Sequence, residues 1–351
     1  MIYDCGKHSP NFAWVGCDYM DFVFRWADKQ DIPVIKTFIV DTFGPDSVQA
    51  ASGRFEALFV EHPYGFHVAL SCASSQLVAI RCYLPFFLNL CGKKITAAFP
   101  VDLMVAPDYR RQGISNQFVK MSRERFAVTV STGQSMQQIA VYTQTEAFVA
   151  AHFSRAYMCK TWPTSGGGVK AFIRDTLSWL KYKCCNRPAY HFEILNPDDL
   201  ERFSFVIAER FGRNQVGCCS DINLMRWRYF NRYYNDCQLG YIEISGKKGL
   251  IAFRQTRQQT EIIDIVSYAD DLDDILSAAA FVLPGVRLTA VFAGETLGNL
   301  FSKNGFLVRS YNANLTVNTY DQDIATELRD SQWLIFPGDS DISMRMQVNR
   351  P

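Results

Sequence analysis

The residues of this chain best suited to chemistry by type and spacing are Arg110-Arg111-Gln112-Gly113-Ile114-Ser115. Just upstream, Val101-Asp102-Leu103-Met104-Val105-Ala106 has the bulky, β-branched content of a buried strand, and Pro107 and Asp108 end it with turn chemistry. Downstream, Ile114, Phe118, Met121 and Phe126 recur at helical spacing, with Asn116, Lys120, Arg123 and Glu124 on the other side. The basic run therefore opens a helix, where unpaired backbone N–H groups and about half a positive charge favour an anion. Gly113 has no Cβ to hold a phosphate away from the backbone. The pattern predicts a cradle for a pyrophosphate; the alternative is a strand-to-helix connection whose glycine serves only the turn.

Composition narrows the field. With 351 residues, 48% of them hydrophobic and 14% aromatic, the chain can bury a large core and is expected to form two domains. Thirty-six Lys and Arg against thirty-five Asp and Glu leave +1, too little for a field that gathers nucleic acid. The first twenty residues hold Asp4, Lys7, His8 and Asp18, so no signal peptide is expected there, and no apolar run is long enough for a membrane span. Cys72, Cys82, Cys159 and Cys237 sit in apolar segments and read as reduced core thiols of a cytoplasmic protein. The vicinal pairs Cys184-Cys185 and Cys218-Cys219 lack any metal-ligand spacing, so no metal is expected.

The elements that must position the cradle follow from periodicity. A strand is expected over 21–27, helices over 31–43 and 47–61, then strands over 67–72, 77–88 and 95–105 joined as hairpins. Past the cradle helix come a short buried strand over 138–142, a helix over 146–155, and two last strands over 158–162 and 169–173. Residues 175–190 read as a helix that turns basic. A second unit starts at His191: a strand, helices over 197–211 and 221–234, and a meander over 238–245, 249–256 and 261–268. Helix 272–282, strand 286–293 and helix 295–303 complete it. The element order of the first unit thus repeats in the second. Where the cradle should recur, the second unit carries Asp270, Asp271, Asp273 and Asp274, whose charges would repel a pyrophosphate.

Val105-x-Pro107-x-x-Arg110-x-x-Gly113-x-Ser115 resembles the acyl-CoA-binding motif of the GNAT acetyltransferase superfamily, with Ser115 where that motif has Gly or Ala. The element order is similar too. The chain therefore resembles a tandem GNAT protein of the α/β class with mixed sheets. Residues 1–20 would be an extension, 21–174 a GNAT domain with the acyl-CoA motif, 175–190 a linker, 191–320 a degenerate GNAT-like domain and 321–351 a tail.

The resemblance implies an N-acyltransferase that moves an acetyl or other acyl group directly from acetyl-CoA or another acyl-CoA to the amine of a small metabolite. A non-catalytic GNAT-fold binding or scaffold protein is the alternative. Neither nucleic acid nor membrane is an expected partner, and a homo-oligomer is compatible with the sequence. Backbone N–H groups at Met104 or Val105 would face the thioester oxygen. Arg110 to Ser115 would hold the phosphates, and Thr145 or Gln144 the pantetheine arm. The base would be Asp102, on the same strand face as Met104, unless that carboxylate is structural and bonded to an arginine. Glu56, Glu61 and His62 are lesser candidates for the base. The acid position falls on His152 under one alignment and on Phe153, which cannot donate a proton, under another.

Overall fold

In a computed structural model the chain is described over residues 22–132, 147–163, 168–185, 189–208, 215–231, 236–256 and 259–336. Strand β1 (Phe22–Trp26) leads through a capping box at Asp28 to helix α1 (Ile32–Phe43). The helix expected over 47–61 is reduced to one π-helical turn at Glu56–Val60, preceded by turns. Three antiparallel strands follow: β2 (Val68–Ala73), the 15-residue β3 (Gln76–Leu90) and β4 (Lys93–Val105). Helix α2 (Ile114–Ser122) then leads to β5 (Val128–Thr132), a strand the sequence pattern does not assign. The strand expected over 138–142 lies outside the described residues.

The expected helix over 146–155 is instead part of a long strand, β6 (Phe148–Cys159). Its Ala-Ala pair favours helix locally, but ladders on both edges satisfy its backbone as a strand, so tertiary pairing overrides propensity. The expected strand over 169–173 lies within helix α3 (Gly168–Cys184), which runs on into the segment read as a linker.

The second half comes closer to its expected pattern. It contains β7 (His191–Ile194), a 3-10 segment leading into α4 (Ser204–Ala208), β8 (Gln215–Cys219) and α5 (Ile222–Phe230). The meander is β9 (Cys237–Ile244), β10 (Lys247–Gln255) and β11 (Gln259–Ser267), and α6 (Leu272–Val282) follows it. Then come β12 (Arg287–Ala293), α7 (Glu295–Lys303), β13 (Leu307–Asn318), α8 (Gln322–Asp330) and the short β14 (Gln332–Trp333).

One mixed sheet unites the halves, with strand order β1-β2-β3-β4-β5-β13-β6-β12-β11-β10-β9-β7. Its middle is an exchange. Strand β13 of the second half lies antiparallel beside β5 of the first, β6 of the first half lies antiparallel beside β12 of the second, and β6 and β13 pair with each other. Side chains follow the same pattern, since Val291, Ala293, Leu315 and Val317 share one apolar cluster with Ile35, Phe38, Leu58 and Val130. Further ties cross between the halves. Strand β8 pairs with Phe87–Leu90 of β3, Trp227 Nε1 and Asn231 Nδ2 donate to the Ala57 carbonyl at 2.7 and 3.1 Å, and the Tyr64 hydroxyl donates to Asp221.

Cysteine chemistry differs from expectation at one place. Cys72 is disulfide-bonded, with its partner outside the described residues, whereas Cys82, Cys159 and Cys237 are free thiols. Cys218 and Cys219 are free and buried on β8, where they pair with Leu88 and Phe87.

The exchange predicts that a chain ending at residue 190 cannot hold native packing, because β5 and β6 both lose β13 and expose unpaired backbone. Such a fragment should aggregate or lack near-ultraviolet circular dichroism, and refolding together with residues 191–351 should restore the native spectrum. A soluble fragment with cooperative unfolding would contradict this.

Candidate functional site

The cradle forms at the end of β4. A 3-10 turn at Pro107–Tyr109 follows the strand, and Gly113 is the N-cap of α2 with φ +77°. Arg111, at φ +64°, is also left-handed. A Cβ built on Gly113 meets no atom within 4 Å, so open space lies in front of the α2 N-terminus. Two side chains fix the loop: Arg110 Nε donates to the Val105 carbonyl at 3.1 Å, and Gln112 Nε2 donates to the Asp108 carbonyl at 3.2 Å. Gly113 and Arg111 are exposed, Ser115 is half-buried, and Ile114 is buried beside Phe118, so only the backbone of Ile114 is available to a ligand. The Tyr83 hydroxyl, donating to the Phe118 carbonyl at 2.9 Å, pins α2 to the sheet.

A cleft opens beside this loop. Strands β4 and β5 are parallel but pair only at Ala97↔Val128 and Ala98↔Thr129, after which the remainder of β4 has no ladder to β5. The β4 backbone also carries a bulge. Ile80 pairs with Met104 and Cys82 with Val101, so Asp102 and Leu103 together face the single residue Arg81. Asp102 sits at φ +46°, uncommon for any residue but glycine and best tolerated by Asp and Asn. Beyond the bulge, Ala106 N–H donates to the Val78 carbonyl at 2.9 Å. Antiparallel alternation therefore turns the Met104 amide onto β3 and the Val105 amide toward the cleft. Of the two backbone donors expected from sequence, only Val105 faces the opening. The Met104 side chain is buried.

Asp102 does not stand alone in an apolar run. Its carboxylate lies 2.6 Å from Arg54 Nη1, and both side chains are about nine-tenths buried. A carboxylate held by a guanidinium is the structural reading of this residue, and it ties the bulge to the segment ahead of the π-helical turn. Arg54 is the residue that sequence reasoning missed: it lies 48 positions away, in a stretch read as one face of a helix.

His152 does not end a helix. It lies exposed on β6, with Nδ1 2.8 Å from Asn314 Oδ1 on β13. Three strand spacings separate it from β4, about 14 Å, so Asp102 and His152 do not form one acid–base pair. Phe153, its neighbour, is fully buried. Thr145 and Gln144 lie outside the described residues. Glu56 is bound by Lys36 at 2.5 Å.

His62 is buried against Trp227, with ring centroids 4.3 Å apart. Burial, reinforced by the charges of Arg228 and His67, pulls its pKa down to about 3. The ring is thus neutral, as its Nδ1 must be to accept from the Tyr64 N–H at 3.2 Å. In the second half, Asp273 and Asp274 at the start of α6 bind Lys303 and Lys247, so salt bridges occupy the position equivalent to the cradle.

Among solved structures, the chain is similar to a probable N-acyltransferase from Enterococcus faecalis V583, with a TM-score of 0.62 at 13% identity, over 86% of this chain and 74% of that one. A GCN5-related N-acetyltransferase from Anabaena variabilis gives 0.61 at 13% identity, over 88% and 75%. The myristoyl-CoA-bound N-myristoyltransferase of Saccharomyces cerevisiae gives 0.52 at 10% identity, over 92% and 86%. No protein-family model matches the sequence, and no curated protein does at significant similarity. These likenesses show the fold: a mixed α/β architecture of the GNAT type.

Two stability predictions follow. Arg54→Met leaves a buried carboxylate uncompensated and should cost roughly 3–5 kcal/mol in urea unfolding, whereas adding Asp102→Asn should recover part of that loss. Simple additivity of the two losses would show the pair to be uncoupled. For His62, unfolded chains bind a proton below pH 6.5 while the folded ring binds none until about pH 3. Its contribution to stability is therefore full above pH 6.5 and falls as pH drops through that window. Between pH 7 and 4.5 it should remove roughly 2–3 kcal/mol, and His62→Phe should flatten that part of the slope.

Proposed function

We propose that this protein binds an acyl-CoA at the β4–α2 loop and transfers the acyl group to the amine of a small molecule. The observation that carries this reading is the conjunction at the end of β4. A bulged strand leaves its parallel neighbour after two residue pairs, and a helix N-terminus with an open, left-handed glycine stands beside the cleft. Its solved neighbours include proteins titled as N-acyltransferases and one holding myristoyl-CoA.

In this reading the N–H groups at Gly113, Ile114 and Ser115 hold the pyrophosphate, with Arg110 and Arg111 adding charge at its exposed rim. The pantetheine arm runs along the free edge of β4. The Val105 amide, which faces the cleft, donates to the thioester carbonyl and to the oxyanion that forms when the amine attacks. Asp102 serves the reaction by fixing the bulge through Arg54, and the amine's proton leaves to water or to a group outside the described residues.

A second reading has its own observation. Asp102 is committed to Arg54, and His152 lies three strands from β4, so neither expected acid–base residue is free at the cleft. A protein that binds acyl-CoA without transferring the acyl group would show the same geometry. Calorimetry with acetyl-CoA and with a long-chain acyl-CoA tests binding, and a screen of amines with detection of released thiol tests transfer. Binding without thiol release for any amine would favour the second reading; failure to bind either donor would reject both.

Gly113→Val should weaken acyl-CoA binding by roughly a hundredfold or more. It strains a backbone at φ +77° and places a branched side chain where phosphate must approach N–H groups. Arg110→Ala should cost less, because the guanidinium is exposed and screened. Both proteins should keep the parent's circular dichroism. A folded Gly113→Val protein that binds acetyl-CoA like the parent would exclude this loop as the phosphate site.

A further inference from the structure

The exchange of β6 and β13 builds a second cavity, of about 550 Å³, away from the β4–α2 loop. Arg155, Arg174, Arg287 and Arg309 line it together with Tyr157 and Glu261. The strand register explains why the arginines converge. Arg155 on β6 lies directly opposite Arg309 on β13, and Arg287 lies on β12, the other neighbour of β6. Like charges directly opposed across an antiparallel pair are destabilising.

The carboxylates at hand do not cancel this charge. Asp175, buried on α3, is shared by two arginines: it accepts from Arg174 Nε at 2.8 Å and from Arg287 Nη2 at 3.0 Å, and from the Tyr157 hydroxyl at 2.8 Å. Burial acts to raise the Asp175 pKa, but these hydrogen bonds and the two guanidinium charges outweigh it and hold the group ionised. Glu261 also faces Arg254, at 3.6 Å. Among the described residues, no carboxylate lies within salt-bridge distance of Arg155 or Arg309. Both stay solvated, and Arg155 is oriented by stacking over Tyr311 at 4.8 Å, as Arg174 is over Tyr157 at 4.8 Å.

We infer that this cavity is a binding site for a small molecule bearing two or more anionic groups, phosphate or carboxylate. Planar guanidinium forks bind both groups bidentately, and the volume suits a metabolite of modest size. An anion bridging Arg155 and Arg309 would convert the repulsion across β6 and β13 into attraction and tighten the junction between the halves. The site stands independently of acyl transfer, because β5 and β13 separate β6 from β4.

The test is calorimetry of the full chain at low salt with inorganic pyrophosphate and with citrate, against sodium chloride of matched ionic strength. At least one probe should bind saturably. Arg155→Gln/Arg309→Gln should weaken that binding by roughly a hundredfold, and Gly113→Val should leave it within about twofold. Pyrophosphate alone would mark a phosphorylated ligand and citrate alone a polycarboxylate, either result upholding the site. Without ligand, Arg309→Gln should melt no lower than the parent, because it relieves repulsion; this single variant also serves if the double variant fails to fold. The inference is overturned if neither probe binds saturably, if the double variant binds within about threefold of the parent, or if Gly113→Val abolishes binding, which would place the anion on the α2 loop. A melting temperature several degrees lower for Arg309→Gln would overturn it as well, by giving that residue a structural role.

Discussion

The structure depends above all on the backbone ladder between β6 and β13, the strands that each half lends to the other. A sheet strand leaves half its N–H and C=O groups unsatisfied unless a neighbour lies on each side. Here β5 finds that neighbour in a strand about 180 residues further along the chain, and β12 finds its own in a strand that precedes it by more than a hundred residues. Neither half can complete its sheet alone. The apolar side chains obey the same constraint, which is why residues of β12 and β13 bury themselves among those of α1 and β5.

The cleft at β4 is a consequence of that ladder. Because β13 supplies β5 with a full antiparallel partner from Thr129 to Thr132, β5 can leave β4 after two residue pairs without stranding its own backbone. What remains exposed is the outer edge of β4, and the bulge at Asp102 and Leu103 re-aims it. The bulge in turn needs Arg54, since an aspartate at positive φ with a buried carboxylate is tolerable only when its charge is met. The ladder, the opening, the bulge and the ion pair thus form a chain of causes that ends at the amide of Val105.

Elements governed by local rules were legible in the sequence. Helix α2 and its glycine, the β9–β11 meander and helix α6 all carry their periodicity and turn residues within a short window. Features decided by distant partners were not. Ala150-Ala151 reads as helix until β12 and β13 flank it, β8 is short and becomes a strand only against β3, and no spacing rule joins Arg54 to Asp102. His62 is legible only in part: the neighbouring Pro63 marks a turn, but its neutrality comes from Trp227, which packs on it from the other half.

The two halves have diverged at the same structural position. After β4 the chain offers glycine, arginine and open space at a helix N-terminus, whereas after β11 it offers four aspartates, two of them bound to Lys247 and Lys303. Negative side chains in the first turn of α6 already satisfy the positive end of that helix, so the second half draws stability from the interaction that the first half leaves available to a ligand. The uncompensated positive charge of the second half lies instead on its sheet, where Arg309 faces Arg155 across the exchanged strands. A shared fold has therefore placed anion-seeking groups at two different levels: backbone N–H groups at a loop in one half, and guanidinium groups on strands at the junction.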